Sequence, residues 1–530
     1  MPDSSENAFV RLHPDDNIVI ARTGVEKGTS VPAGDNGGTL VTLDAIDLGH
    51  KMADRPIAAG EPVRKFGQLI GYAGTDIQPG EWVHSHNLSV GTPACQGGKT
   101  GGGDYAFSTD VPPAPKPILG RTFQGYRRGT GKAATRNYLG IISTVNCSAT
   151  TSKLVAQRIT AEMLADYPNI DGVVPLVHKA GCAMQYGGED HRQLTRVLAG
   201  FARHPNIGAY LVVGLGCETG QPSFLVDTHG LTQLDLPGDD GQPAEPLPLV
   251  MTIQDHGGVA RTVDRAVGVL KEMLPEVNRV RREPIPVAEL ILGTECGGSD
   301  GNSGVTANPA VGVASDLLVA HGGTTILGET TEIYGGEHLL TRRAVTPEVG
   351  RKLVERIEWW ERYTAFFGVE IDNNPSPGNK KGGLTTIYEK SLGAIAKGGS
   401  TALTEVYRYA EPVTAKGFVV MDTPGYDPAS VTGMVAGGAN VIVFTTGRGS
   451  CFGCKPVPSL KVATNTPMFE RMIDDMDVNA GRILDGVSVE EVGREIFERI
   501  VAVASGESTK SEAQGIGDEE FCPWALGPVL

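Results

Sequence analysis

Apolar residues in the first ninety positions fall in short runs, at 17–21, 60–63, 68–72 and 81–84, each cut off by Gly, Pro, Asp or Asn. Runs of that length between turn residues predict strands, and so a small β-rich domain over residues 8–94. Between 95 and 118 the apolar period disappears and Gly97-Gly98, Gly101-Gly102-Gly103 and Pro112-Pro113-Ala114-Pro115 take over, which is linker composition. Beyond it, strand-like runs at 139–144, 172–176 and 210–214 alternate with helical patterns, one of them expected over 151–165. That alternation predicts parallel α/β architecture. A charged helix ending before Arg281-Arg282-Glu283-Pro284-Ile285-Pro286 sets a boundary between a first α/β unit, 119–282, and a second, 286–530. The expected fold class is therefore α/β multidomain: a small N-terminal β domain followed by two α/β units with largely parallel sheets.

Four of the predicted strands run into loops of one kind: Ile141 leads to Asn146-Cys147-Ser148, Val212 to Gly216-Cys217-Glu218, Ile291 to Glu295-Cys296-Gly297, and Val443 to Thr445-Thr446-Gly447-Arg448. Open α/β sheets bind ligands at the carboxyl ends of their strands, so these loops are expected to line a site. Composition supports this: glycine stands at 71 of 530 residues, about 13% against a usual ~7%, and it gathers beside Cys, Asn, Asp and Thr.

A net charge of −16 leaves no basic footprint for nucleic acid. No apolar run reaches the eighteen or so residues of a membrane span, and the first six residues lack the pattern of a signal peptide. A cytoplasmic enzyme with no membrane or nucleic-acid partner, a homodimer by size, is the expectation. Eight cysteines in such a chain read as thiols or metal ligands, with no disulfide framework.

Several motifs carry candidate chemistry. His84 and His86, expected to alternate at a strand end and share one face, suit a divalent metal, with His50 as a third ligand. Cys147, Cys182, Cys217 and Cys296 stand at strand ends, too far apart in sequence for a zinc finger; each is a small buried hydrophobe or a thiolate for iron. Cys451-Phe452-Gly453-Cys454 is a redox pair, a metal half-site or a tight turn. The segment from Asn373 to Gly383, interrupted throughout by Pro and Gly, is a surface loop or an anion cradle built on Asn379, Lys380 and Lys381, followed by a helix aiming its dipole at the same charge. Arg136, beside Asn137, and Arg448, beside Thr446, could grip a carboxylate or serve as structural ion-pair partners. GxGxxG after a strand, GxSxG and HExxH are all absent.

Taken together, Thr135-Arg136-Asn137 through Thr144-Val145-Asn146-Cys147, Gly214-Leu215-Gly216-Cys217-Glu218, Cys296-Gly297-Gly298-Ser299-Asp300, Asn374 to Gly383 and Phe444-Thr445-Thr446-Gly447-Arg448-Gly449 resemble the altronate/galactarate dehydratase family over nearly the whole chain. The resemblance implies an N-terminal SAF domain of β-clip fold. It also implies a hydro-lyase that forms a 2-keto-3-deoxy acid with a divalent metal, iron first and Mn²⁺ or Mg²⁺ as substitutes. Altronate-type members are the nearer pattern, and a related sulfolactate sulfo-lyase makes carbon–sulfur cleavage the alternative activity. A non-catalytic sugar-acid sensor is the alternative outside enzymes.

Dehydrating a 2,3-dihydroxy acid removes the proton α to a carboxylate, and the enediolate so formed needs positive charge. The expected roles follow. His50, His84 and His86, or the oxygens of Glu295 and Asp300, hold the metal, and His86 also serves catalysis. Arg136, Asn137, Asn379, Lys381, Thr446 and Arg448 hold the sugar acid. His178, Lys179 or Lys380 takes the proton. An iron–sulfur cluster on Cys147, Cys217 and Cys296 is the alternative Lewis acid.

Overall fold

The computed structural model describes residues 8–33, 38–91, 105–233 and 249–526. In the N-terminal domain, β1 (Phe9–Val10), β2 (Ile18–Ala21), β3 (Lys51–Ala53) and β6 (Trp82–Val83) form an antiparallel sheet in the order β1-β2-β3-β6. Alongside it stands the order β4-β5-β7, from Pro62–Lys65, Gln68–Ala73 and Leu88–Ser89. Ile18, Ile20, Val63, Ile70 and Val83 fill the space between them.

The first α/β unit has four parallel strands in the order β11-β10-β12-β13. These are β10 (Tyr138–Ser143), β11 (Gly172–Leu176), β12 (Ile207–Gly214) and β13 (Leu249–Thr252). Every residue of β10 and β12 is buried, as expected of strands covered on both faces. Helices α1 (Asn146–Gln157), α2 (Glu189–Ala202), α3 (Pro222–His229) and α4 (Val259–Arg279) surround them.

The second unit is a seven-stranded parallel sheet in the order β17-β18-β16-β15-β19-β20-β21. Its strands are β15 (Ile291–Cys296), β16 (Thr324–Leu327), β17 (Leu403–Tyr407), β18 (Gly417–Met421), β19 (Val441–Thr446), β20 (Ser459–Ala463) and β21 (Val478–Asn479). Its helices include α5 (Ala307–Ala320), α6 (Pro347–Phe366), α7 (Pro377–Lys381), α8 (Ile387–Ile395), α9 (Asp427–Ala436) and α10 (Val489–Ala504). The small side chains of α5 let α10 lie close, with Gly493 against Val313 and Ala310. Helices α2 and α9 pack between the two sheets, so one apolar cluster runs from Leu194 and Tyr210 of the first unit to Met434, Ile442 and Phe444 of the second.

Each parallel sheet has a switch point. From β10 the chain adds β11 on one side and then β12 on the other; from β15 it builds outward through β16 to β17 and β18, then crosses back to add β19. Crevices form where neighbouring strands send their connections opposite ways.

Three local expectations are corrected. The helix expected over 151–165 begins at Asn146 and stops at Gln157; Thr160 then caps a separate turn, Ala161–Leu164. The stretch taken as a boundary at 281–286 contains a strand, β14 (Arg282–Pro286), paired antiparallel with β8 (Thr122–Arg127), which also pairs with β9 (Ala133–Ala134). Of the expected linker, 95–104 lies outside the described residues. The remainder runs along the second unit, with Ser108 N bonding Thr341 O at 3.0 Å and Ile118 N bonding Ala320 O at 2.9 Å.

Candidate functional site

The loop after β15 turns sharply at Gly298, whose φ of +64° lies in the left-handed region and lets its carbonyl accept from both Gly447 N (3.1 Å) and Arg448 N (2.8 Å). The loops after β15 and β19, the two strands of the switch point, are thereby joined. Asp300 pins them from below: buried, it accepts from Thr464 Oγ1 (3.0 Å), Ser303 Oγ (3.1 Å), Asn302 N (3.1 Å) and Asn465 Nδ2 (3.1 Å). With its lone pairs so used, Asp300 is a structural anchor, which corrects its expected role as a metal ligand.

Below this loop lies a floor of buried charge. Glu295 ends β15, Glu329 follows β16, and Asp427 opens α9; one carboxylate oxygen from each lies within 4.8 Å of the others. Glu295 Oε2 accepts from Ser430 Oγ at 2.8 Å, while Glu295 Oε1, Glu329 Oε1 and Glu332 Oε2 are buried without a partner. Burial pushes the Glu295 carboxyl well above its ordinary range, and the charges of Glu329 and Asp427 push the same way. Burial likewise carries Glu329 up to about 8, against the pull of Lys397, and Asp427 up to about 6. Lys397 ion-pairs with Glu329, and Lys390 with Glu332 at 2.6 Å. Burial works against both ammonium charges, yet the surrounding acids outweigh it and hold both lysines above the ordinary value.

Glu329 occupies the left-handed region at φ +61°, a strained conformation for a residue with a Cβ and one that gathers at functional sites. Cys296 lies buried beside this floor, its sulfur 2.8 Å from Ser299 Oγ, and burial raises its pKa.

The N-terminal domain closes over the same loops. Lys51 (2.8 Å) and Lys65 (2.9 Å) flank Glu389 of α8, all three buried, and the two cations hold that carboxylate well below its usual range against the cost of burial. The residues 84–87 form a turn, so His84 and His86 do not alternate along a strand; both rings instead pack on Trp82, with centroids 4.7 and 5.1 Å away. His84 Nε2 lies 2.8 Å from Lys380 O and its Nδ1 3.0 Å from Ser85 Oγ. His50 Nδ1 accepts from Trp82 Nε1 at 3.1 Å, and its Nε2 lies 3.3 Å from Lys381 O. Both nitrogens of each ring being engaged, His50 and His84 dock the domain onto the Lys380–Lys381 backbone and do not form the expected metal triad. Burial, opposed by the Lys380 bond, lowers the His84 pKa to about 4. His86 is exposed at the rim.

Among the described residues Arg448, Lys380 and Lys381 have no hydrogen-bond or ion-pair partner for their side-chain charges; the Arg448 side chain lies against Gly382, and Lys380 lines the neighbouring cavity with Glu370 and Asp372. Asn379 and Thr446 are spent on the scaffold. Asn379 forms a capping box with Ser376 and donates to Ser299 O at 2.8 Å, and Thr446 Oγ1 accepts from Gly449 N at 3.1 Å. The Asn373–Gly383 segment thus contains a short helix, α7, where an irregular loop was expected, and α8 turns its first-turn Glu389 toward lysines, so its dipole faces no ligand anion.

Arg136 and Asn137 are also corrected. The Arg136 guanidinium pairs with Glu512 (2.6 and 2.8 Å) and donates to the carbonyls of Thr135, Val503 and Glu507, leaving no donor for a substrate. Buried Asn137 joins Arg128, Asn169 and Val277. His178 and Lys179 line a different cavity, in the first unit; His178 Nε2 bonds Ser143 O at 2.9 Å. Cys147 and Cys217 are exposed in the first unit, while Cys296 is buried in the second, so these three do not form one ligand set. Cys454 is buried and Cys451 exposed, both thiols free.

Glu329, Glu332, Lys390, Lys397 and Asp427 escaped the sequence reading. Their signal was present: acids directly after an apolar strand in Gly328-Glu329-Thr330-Thr331-Glu332, and lysines inside a helical stretch otherwise almost wholly apolar.

Family models agree with this layout. Those described as Altronate/galactarate dehydratase SAF domain, D-galactarate dehydratase/Altronate hydrolase second domain, and D-galactarate/Altronate dehydratase C-terminal match residues 7–91, 125–278 and 287–529. The chain is 35% identical to an altronate dehydratase of Bacillus subtilis (strain 168) over 95% of this chain and 96% of that protein. It is 39% identical to a galactarate dehydratase (L-threo-forming) of Escherichia coli (strain K12), over 96% and 95%. The beta subunit of a (2R)-sulfolactate sulfo-lyase from Chromohalobacter salexigens is 32% identical over 76% of this chain and 97% of that subunit.

Proposed function

Because the chain belongs to the D-galactarate/altronate dehydratase family and is thereby a hydro-lyase, we propose that it removes water from a sugar acid, an aldonate or aldarate of altronate type, to give a 2-keto-3-deoxy acid. The observation that carries this reading is the pairing of a rim of free cations, Arg448, Lys380 and Lys381, with a floor of buried acids whose oxygens lack partners. Such a crevice receives an anion and stabilises charge that develops on it.

The floor fits a divalent cation, since Glu295 and Glu329 each carry a buried carboxylate oxygen without a partner, Asp427 brings a third carboxylate within 4.8 Å, and hard oxygen donors suit Mg²⁺, Mn²⁺ and Fe²⁺. Glu295, Glu329 and Asp427 would hold the ion, which when bound would supply positive charge against the enediolate.

The chain's own groups do the rest. Arg448 and Lys381 grip the substrate carboxylate, Arg448 by a bidentate fork. Lys380, whose backbone carbonyl bonds the His84 ring, takes the proton from C2 at its Nζ. Lys390 and Lys397, protonated and buried, keep the electrostatics of the floor in balance. The N-terminal domain keeps water from the crevice and positions the Lys380–Lys381 backbone.

The test is turnover of a panel of aldonates, aldarates and sulfolactate, with keto acid and sulfite assayed together. Keto acid from at least one aldonate or aldarate, without sulfite, is expected. Sulfite from sulfolactate as the sole product would replace dehydration by carbon–sulfur cleavage.

A further inference from the structure

The first α/β unit has its own switch point, between β10 and β12, and its strand-end loops are not used by the crevice described above. Each of three adjacent strands there ends in a loop with a cysteine: Cys147 after β10, Cys182 after β11, Cys217 after β12. All three are free and exposed, whereas an isolated cysteine in a fold of this kind is ordinarily buried as a small hydrophobe.

The loops are built against one another by backbone. Asn146 N bonds Ala180 O at 3.0 Å and Gly220 N bonds Gly181 O at 3.1 Å. Gly181, at φ +97°, sits so close that a Cβ would overlap Thr144 O and lie 2.7 Å from Val145 Cα. Buried Glu218 gathers Thr144 Oγ1 (2.8 Å), Leu215 N (3.1 Å) and Gly216 N (2.6 Å), which ties the Cys217 loop to the end of β10. The three loops are thus held rigidly side by side while their thiols are left free.

Cys147 lies in the first turn of the twelve-residue α1, which has no acidic residue there to compete for the dipole. Gln254 Nε2 donates to Cys217 Sγ at 3.5 Å, a contact of the kind that tunes a ligating sulfur. A cavity of about 650 Å³, lined by Asn146, His178, Lys179, Cys182 and Phe521, opens at the same loops.

The spacing argues against a single ion bound by all three sulfurs. Among the described residues only Glu295, Glu329 and Asp427 bring ligand atoms within 4.8 Å of one another, so the three sulfurs are spread wider than that. Thiolates on one tetrahedral ion, with bonds of about 2.3 Å, stand about 3.8 Å apart. A polynuclear cluster, with each thiolate on a different iron, accommodates the wider spread.

We propose that Cys147, Cys182 and Cys217 bind a [4Fe–4S] cluster with three protein ligands, leaving one iron open toward the cavity. This site is separate from the carboxylate floor, and the proposal does not depend on which sugar acid is the substrate. It replaces the ligand set expected from sequence by exchanging buried Cys296 for Cys182.

The test uses the full chain, purified without oxygen and reconstituted with ferrous iron, sulfide and a thiol reductant. Expected are broad visible absorption, about four irons and four acid-labile sulfides per chain, and an electron paramagnetic resonance signal in one of the cluster's redox states. C147S, C182S and C217S, each on an exposed side chain, should lower the iron and sulfide content at least severalfold while the thermal melt stays unchanged; C451S should leave it unaltered. A wild-type chain that stays colourless and sulfide-free, one that takes up a single iron or zinc without sulfide, or a triple variant that keeps its full cluster would each overturn the proposal.

Discussion

Arg448 carries its charge into the crevice without an acidic partner, while Arg136 spends its guanidinium on Glu512 and three backbone carbonyls. The same side chain therefore has opposite consequences when removed. Arg448→Ala deletes charge-assisted bonds to the substrate, each worth about 1.5–3 kcal/mol, so kcat/KM should fall roughly 10–100-fold with the melting temperature unchanged. Arg136→Ala strips a mostly buried pair of its cation, so unfolding should become easier by about 3 kcal/mol, read by denaturant titration, while kcat/KM of the folded fraction holds. The reverse assignment of effects would exchange their roles. From sequence the two were alike in one respect: each is an Arg in a short polar or glycine-rich stretch beside an apolar strand. Burial and partner, the properties that separate them, arise only when residues 503–512 fold back over the Thr135–Arg136 backbone.

The elements that build the crevice are loops at strand ends, and their fit depends on backbone approaching backbone. A Cβ on Gly301 would overlap the carbonyl of Gly49, across the junction of the N-terminal domain and the second α/β unit. Gly301→Ala should push that domain off Lys380 and Lys381, lower kcat/KM at least tenfold, and raise the rate of proteolysis between the domains. A variant with wild-type kinetics would show that the N-terminal domain does not position these lysines. The strands themselves were legible, because a buried parallel strand must read as a continuous apolar run. The helix α8 was legible only as a helical segment following the Asn373–Gly383 stretch. Its charges at Glu389, Lys390 and the following Lys397 make sense through partners 58 to 338 positions away, a separation that no local pattern records.

At the scale of the whole molecule, the two α/β units meet through buried polar groups as well as the shared apolar cluster. His204 is fully enclosed at that junction, with Nε2 donating to Ala439 O (2.9 Å) and Nδ1 accepting from Asn206 N (3.1 Å), so only the neutral ring fits. Burial lowers its pKa from 6.5 to about 3 in the folded chain. A depressed folded value means that the unfolded chain binds the proton first. The contribution of His204 to stability is therefore intact above pH 6.5 and is lost as pH falls from there toward 3, at up to about 1.4 kcal/mol per unit. Thermal melts between pH 7 and 4 should show this slope, and His204→Asn should flatten it; an equal slope in the variant would assign it to other groups.

The sequence by itself determined the three-part organisation, the parallel sheets and the dehydratase family, because hydrophobic period and contiguous motifs are local properties of the chain; the four strand-end loops expected to share one site are divided between the two sheets. The tertiary structure decided which polar residues face ligand and which face one another. It removed Arg136, Asn137, Asp300 and the histidine triad from the roles expected of them, and it assembled Glu295, Glu329 and Asp427 from three strand ends 34 to 132 positions apart. The reason is physical: a buried charge is settled by the partners and solvent it meets after folding, and those are set by strand order, which the one-dimensional pattern does not carry.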